Sequence, residues 1–175
     1  MLKDSENKKN PSKIWIFILI YILLIYTTLP IMRTVLNYIY STIGKESLSI
    51  VVNIFLVAVP VTLVVFLIRK KSKNHLLVLF PIIVTMAFIF MLDRPEERLH
   101  FLEYGLLGFV VLKTFDKELN YKRLILAIVF VTAVGALDEF IQLLLPNRVG
   151  DLRDVCMNAV GGALGVWVGK FWYLH

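Results

Sequence analysis

Apolar residues fall into six runs along the chain, each broken by charge or proline: Ile14–Leu29, Leu48–Ile68, Leu76–Leu92, Glu96–Leu112, Leu124–Leu145 and Leu152–Tyr173. A spanning helix needs about 20 mostly apolar residues, with about 17–25 tolerated. The pattern therefore predicts an all-α fold, a polytopic membrane helical bundle of about six transmembrane helices. Lys3, Lys8, Lys9 and Lys13 precede the first run and Pro30 ends it. Thr27-Thr28-Leu29-Pro30 offers no small-x-small cleavage site, so an uncleaved first span is expected. Pro60 and Pro81 lie inside the second and third runs, where a membrane helix tolerates them as kinks.

The last three runs are less uniform. The fourth carries His100, Glu103 and Tyr104, and the fifth holds Asp138, Glu139 and Gln142 in its last two turns before Pro146. The sixth begins polar and ends in Trp167, Trp172 and Tyr173, as an interfacial aromatic belt does. The expected organisation is a tail over 1–13, three scaffold helices over 14–92, and a region over 93–175 carrying an outer-facing polar site.

Composition agrees with that reading. Apolar residues make up 58% of the 175 and charged residues 18%, against about 45–50% and about 25% in soluble domains. Mean hydropathy is +0.76. A soluble domain of this length cannot hide so much apolar surface, which excludes a disordered chain, a disulfide scaffold and an ordinary cytosolic enzyme. The single cysteine, Cys156, reads as a small buried hydrophobe in an apolar run.

Charge orients the bundle. Of nineteen Lys and Arg, thirteen lie in segments 1–13, 69–75, 113–123 and 170–175. Positive residues stay cytoplasmic, so both termini are expected inside. This bias explains the net charge of +6 and the pI near 9.5 without a nucleic-acid partner. Carboxylates run the other way: nine of thirteen fall on the outer side, with six cations.

Charged groups in the membrane are costly and default to a functional hypothesis. Glu96, His100 and Glu103, at i, i+4 and i+7, share a helix face that Tyr104 borders. Gly135, Asp138, Glu139 and Gln142 run along one side of the fifth helix, where only one of Asp138 and Glu139 is expected to point squarely at a neighbour. After Pro146 and the turn Asn147-Arg148-Val149-Gly150, Asp151 reads as the N-cap of the sixth helix, with Asp154 in its first turn. Asp154 and Asn158 continue along one face. Gly161, Gly165 and Gly169 form a repeated G-x-x-x-G that lets another helix approach, and could join two copies into a homo-oligomer.

Blander readings apply to each residue alone. Asp151 and Asp154 are helix-start residues, and His100 a satisfied bundle histidine. Glu103 and Glu139 would pair with Arg98, Arg148 or Arg153, while Arg94 and Arg98 sit at the aqueous boundary. Convergence at one depth favours a site. A Mg²⁺ or Zn²⁺ site is drawable on His100 and Glu103. With one histidine available and no H-E-x-x-H or Cys/His pair, no metal or other cofactor is expected.

The run from Glu96 through His100, Glu103 and Tyr104 to Gly108 resembles the first motif of the VanZ-like family. So do Asp138-Glu139-Phe140-Ile141-Gln142, Pro146-Asn147-Arg148, Asp151, Asp154, Asn158 and Gly162, over about residues 93–170. Many members carry Asp-Lys before the histidine, where this chain has Glu96-Glu97. The family takes its name from a protein associated with resistance to the glycopeptide teicoplanin. The resemblance implies a small multi-span protein of the bacterial cytoplasmic membrane.

Two functions are expected from these residues, and a third uses them as well. One is binding or modulation of an envelope lipid or lipid-linked cell-wall precursor at the outer leaflet. Glu103, Tyr104, Asp138, Gln142, Arg148, Asp151, Asp154 and Asn158 would then shape the polar end of the site, with Arg148 and Arg153 on a phosphate or carboxylate. The alternative is an intramembrane hydrolase or transferase, with His100 or Glu139 as general base and Arg148 and Asn158 stabilising negative charge. A proton-coupled transporter is the third; its relay would have to continue to the cytoplasmic side, where no such polar residues follow.

Overall fold

The computed structural model describes residues 11–69, 75–92, 94–115, 120–146, 148 and 150–173. Within them the chain is all-helical: α1 (Pro11–Ile43), α2 (Lys45–Arg69), α3 (His75–Met91), α4 (Pro95–Leu112), α5 (Tyr121–Leu144) and α6 (Leu152–Tyr173), with a single 3₁₀ turn after α4. Most of the expected tail, and Asn147 and Val149 of the expected turn, lie outside the described residues.

Five helices begin and end within a few residues of their apolar runs, and α1 departs from its run at the C-terminal end. It continues through Pro30 to Ile43. A proline costs the helix one N–H bond, and Thr27 and Thr28 turn their hydroxyls back to carbonyls one turn earlier. At 33 residues α1 is about 50 Å long at 1.5 Å per residue, longer than the ~30 Å hydrocarbon core. Its last third, from Arg33 onward, is the more polar part. Gly44, at φ 81°, ends it in the left-handed conformation that glycine adopts freely, and its N–H bonds the Tyr40 carbonyl at 3.2 Å.

Local chemistry sets the other helix starts. Pro95 opens α4 at the first helical position, where its missing N–H costs nothing. Asn120 caps α5 by accepting from the Arg123 N–H at 3.0 Å. Asp151 caps α6, as expected, its carboxylate accepting from the Arg153 N–H at 2.9 Å.

Three helices, α1, α2 and α5, are long and apolar enough to cross a membrane. The 17-residue α3 is shorter, and α4 and α6 carry polar first turns. The tightest packing is among α4, α5 and α6, around Tyr104, Leu107, Val111, Val131 and Val166, with Ile18 of α1 against them. Glycine makes the approach possible. A methyl at Gly161 would lie 2.6 Å from the Phe101 carbonyl, and methyls at Gly165 and Gly108 would meet the backbones of Gly105 and Gly162. The helix that the glycine stripe was expected to admit is α4 of the same chain. Cys156, expected inside, is exposed, on a face of α6 away from that contact.

Candidate functional site

α4 and α5 face each other through a pair of wholly buried groups. The Tyr104 hydroxyl donates to Asp138 Oδ2 at 2.8 Å, and neither residue has measurable exposure. One turn on, the Gln142 amide donates to Glu139 Oε1 at 3.0 Å and, more weakly, to Asp138 Oδ1 at 3.4 Å. Glu139 Oε2 accepts the Asp151 N–H at 3.2 Å. A buried carboxylate needs such donors, because leaving water without them is prohibitive. Both Asp138 and Glu139 are buried, where only one was expected to face inward. The reason is that α5 is covered on two flanks: Tyr104 of α4 reaches Asp138, and the turn leading into α6 folds back over Glu139.

His100 sits at the edge of this cluster. Its Nδ1 lies 3.5 Å from Glu103 Oε2 and 3.8 Å from Asp138 Oδ2, with no hydrogen bond to either. Asn158 is fully buried, and neither polar atom of its amide has a partner among the described residues. Gly135 makes room for it: a methyl there would stand 2.7 Å from Asn158 Cβ. Such buried, unsatisfied polar atoms are rare in folded proteins and mark places where another molecule or water completes the bonding.

A cavity opens between α1 and α4 at this level. His100, Glu103 and Arg148 form its polar end, and Ile25, Leu29 and Met32 of α1 are among its apolar walls. Its free space is about 40 Å³, enough for a few waters or one small polar group. Arg148 is held across it, Nη2 donating to the Leu29 carbonyl at 3.3 Å. Asp151 is spent on capping and lies exposed, and Asp154 is half-buried in the first turn of α6; neither lines this cavity.

α1 thus contributes directly to the site through the cavity wall. It also anchors to the last three helices by two tyrosines: Tyr21 donates to the Glu103 carbonyl at 3.2 Å and Tyr26 to the Val134 carbonyl at 2.9 Å. The sequence held a signal for these in a phenol within an apolar run, since a buried Tyr hydroxyl needs a partner.

Arg98 was expected at the aqueous boundary. Instead it is buried, donating to the Leu92 carbonyl through Nε at 3.0 Å and again through Nη2, and to Ser49 and Asn53 of α2 at 2.7 and 2.8 Å. It ties the end of α3 and the first turns of α2 to α4, and nothing local in the sequence announces those partners. Arg153, a candidate for an anionic ligand, bonds Glu97 Oε2 at 3.3 Å and links the starts of α6 and α4.

The model of the VanZ/LLP1 family matches residues 5–173. The chain belongs to that family. The resemblance was legible over 93–170, and the match extends it across α1–α3, in keeping with the wall and anchors that α1 supplies. Among curated proteins and solved structures, none matches the chain. With its long apolar helices, this member of the VanZ/LLP1 family is a membrane protein.

Chemically, the cavity of this VanZ/LLP1 protein presents His100, Glu103 and Arg148 against apolar walls, with Asp138 sealed behind His100. No group of three or more His, Cys, Asp or Glu side chains among the described residues is placed to hold a metal ion.

Proposed function

We propose that the protein binds the polar end of an envelope lipid, or of a lipid-linked cell-wall precursor, in the outer leaflet of the bacterial cytoplasmic membrane. In this reading the chain crosses the membrane several times with both termini inside, and the cavity between α1 and α4 opens toward the outer half. One observation carries the reading: an apolar-walled cavity whose polar lining includes His100, Glu103 and Arg148. An amphiphile matches that polarity, its chain along α1 and a hydroxyl, amine or anionic oxygen against the polar end. The small free volume admits only such a group, so the rest of a headgroup stays at the mouth. Any effect on glycopeptide sensitivity would follow from occupancy by cell-wall precursors.

The test is native mass spectrometry of the purified full chain in mild detergent, wild type beside His100→Ala and Arg148→Ala. A specific lipid carried by wild type and lost in both variants, with unchanged thermal midpoints, is the expected result. A wild type without a specific lipid, or variants that retain it, would overturn the proposal. The unsatisfied His100 Nδ1 favours one second reading, an enzyme using that imidazole as general base. It predicts that His100→Gln keeps the lipid but stops its conversion.

A further inference from the structure

A second pocket lies at the same end of the bundle, nearer the solvent, and its lining is cationic. Arg33, Asn37 and Tyr40 of α1, Lys45 at the start of α2 and Arg94 before α4 surround a cavity of about 230 Å³. Residues 33, 37 and 40 are at i, i+4 and i+7, one stripe of a helix. The turn at Gly44 brings Lys45 back beside them, and the α3–α4 connection adds Arg94. Three separate stretches of chain therefore bring three cations to one concavity, and no carboxylate is among the described residues that line it.

Among the described residues, ion pairs leave most of this charge unspent. Arg94 Nε stands 3.9 Å from Glu97 Oε1, a loose contact with 63% of the Arg94 side chain exposed. Glu97 also serves Arg153. Arg33 and Lys45 have no ion pair among the described residues. The acid beside Lys45 in sequence, Glu46, is exposed in the first turn of α2 and lies outside the lining.

Position gives the pocket its meaning. It is built on the polar last third of α1, which the orientation proposed above puts at headgroup depth. Leu36 lines both this pocket and the inner cavity, which makes the two neighbours along α1.

We infer that the pocket formed by Arg33, Lys45 and Arg94 is an anion site that takes a phosphate-type group. Its room exceeds a bare phosphate, against ~30 Å³ for one water in the liquid. Arg and Lys donors suit phosphate oxygens through charge-assisted hydrogen bonds. The source of that chemistry is an anionic lipid headgroup or a free phosphate. The inference takes from the proposed function only the placement of this end at the membrane surface.

The experiment places the full chain in nanodiscs of equal parts phosphatidylglycerol and phosphatidylcholine, then counts bound lipids by native mass spectrometry. Wild type should enrich phosphatidylglycerol about thirty-fold, the order expected for two cations beside an anionic headgroup. Arg33→Gln with Lys45→Gln should lose that enrichment. Lys113→Gln with Lys122→Gln, removing equal charge at the opposite end, should keep it. The exchange Arg33→Lys with Lys45→Arg preserves charge and should also keep it, which guards against a folding defect.

Phosphorus NMR with inorganic phosphate distinguishes the sources. Phosphate binding lost in the double Gln variant, without phosphatidylglycerol enrichment, assigns the site to a free anion. Absence of both signals in wild type, or equal loss in the opposite-end control, would overturn the inference. Failure here leaves the inner cavity untouched, because none of these variants alters His100 or Arg148. Conversely, loss of lipid from the inner cavity leaves this enrichment as it was.

Discussion

In α1 and α2, 17% and 12% of the most apolar stretch is buried within the protein, whereas in α5 the share is 33%. The two halves of the chain meet their surroundings differently. Leu19, Leu23 and Ile54 of the first half turn outward with more than half of their surface uncovered. In the second half, Tyr104, Val131, Asp138 and Asn158 are sealed. A helix whose neighbour is lipid needs only apolarity, because lipid tails are as apolar as Leu and give helices no hydrophobic reason to associate. Helices that meet one another inside lipid need close shape and satisfied polar groups. The glycines at 105, 108, 161, 162 and 165 and the Tyr104–Asp138 bond supply these to α4–α6.

The sharpest test of this contrast sets one glycine against another. A methyl at Gly165 would fall on the Gly105 backbone, whereas a methyl at Gly44 meets nothing within 4 Å. Gly165→Ala should therefore destabilise by about 3 kcal/mol, since neither backbone can yield without moving a helix. Gly44→Ala should cost only the left-handed strain of about 1–2 kcal/mol. Reversible unfolding in mixed micelles reads both. Equal losses would mean that the α4–α6 crossing is looser than its geometry and that the contrast fails.

The same contrast explains what could be read from the sequence. Apolar runs placed five of the six helices to within a few residues, because lipid imposes length and composition directly on each segment. The last turns of α1 escaped, since Arg33, Asn37 and Tyr40 look like loop residues until a pocket is seen beside them. Residue types and helical spacing pointed to His100, Glu103, Asp138, Glu139 and Arg148 as one group. Their partners across helices were not legible: Arg98 with Ser49 and Asn53, or Arg148 with the Leu29 carbonyl, depend on which helices touch. The glycine stripe signalled close approach correctly, and only the packing of α4 tells that the approaching helix is internal.

Removing a single hydroxyl probes the polar side of the comparison. Tyr104→Phe deletes a 2.8 Å bond to a buried carboxylate and should cost about 1.5–3 kcal/mol, the range for hydrogen bonds to charged groups. Tyr38→Phe makes the same chemical change on an α1 side chain that is 70% exposed, and should stay within about 0.5 kcal/mol. A double-mutant cycle of Tyr104→Phe with Asp138→Asn isolates the pair. Zero coupling would show that Asp138 is held chiefly by Gln142 and its surroundings, and would move the anchor of the site from α4 into α5 itself.

The smallest effect belongs to the lipid-facing helices, and its smallness is the informative part. Ile54 of α2 is 61% exposed. Its side chain touches lipid when the bundle is assembled and still touches lipid when the helices separate within the bilayer, so truncation changes both states alike. Ile54→Ala should shift stability by less than about 0.5 kcal/mol. Val131 of α5 is fully buried and its Cγ1 fills the space beside Gly162. Val131→Ala should cost about 1–2 kcal/mol, because the packing atoms lost there leave a gap that helices held by glycine contacts cannot close. Were Ile54→Ala to cost as much, α2 would bear on a protein surface at that position rather than on lipid, and a partner for the first half of the chain would have to be sought there.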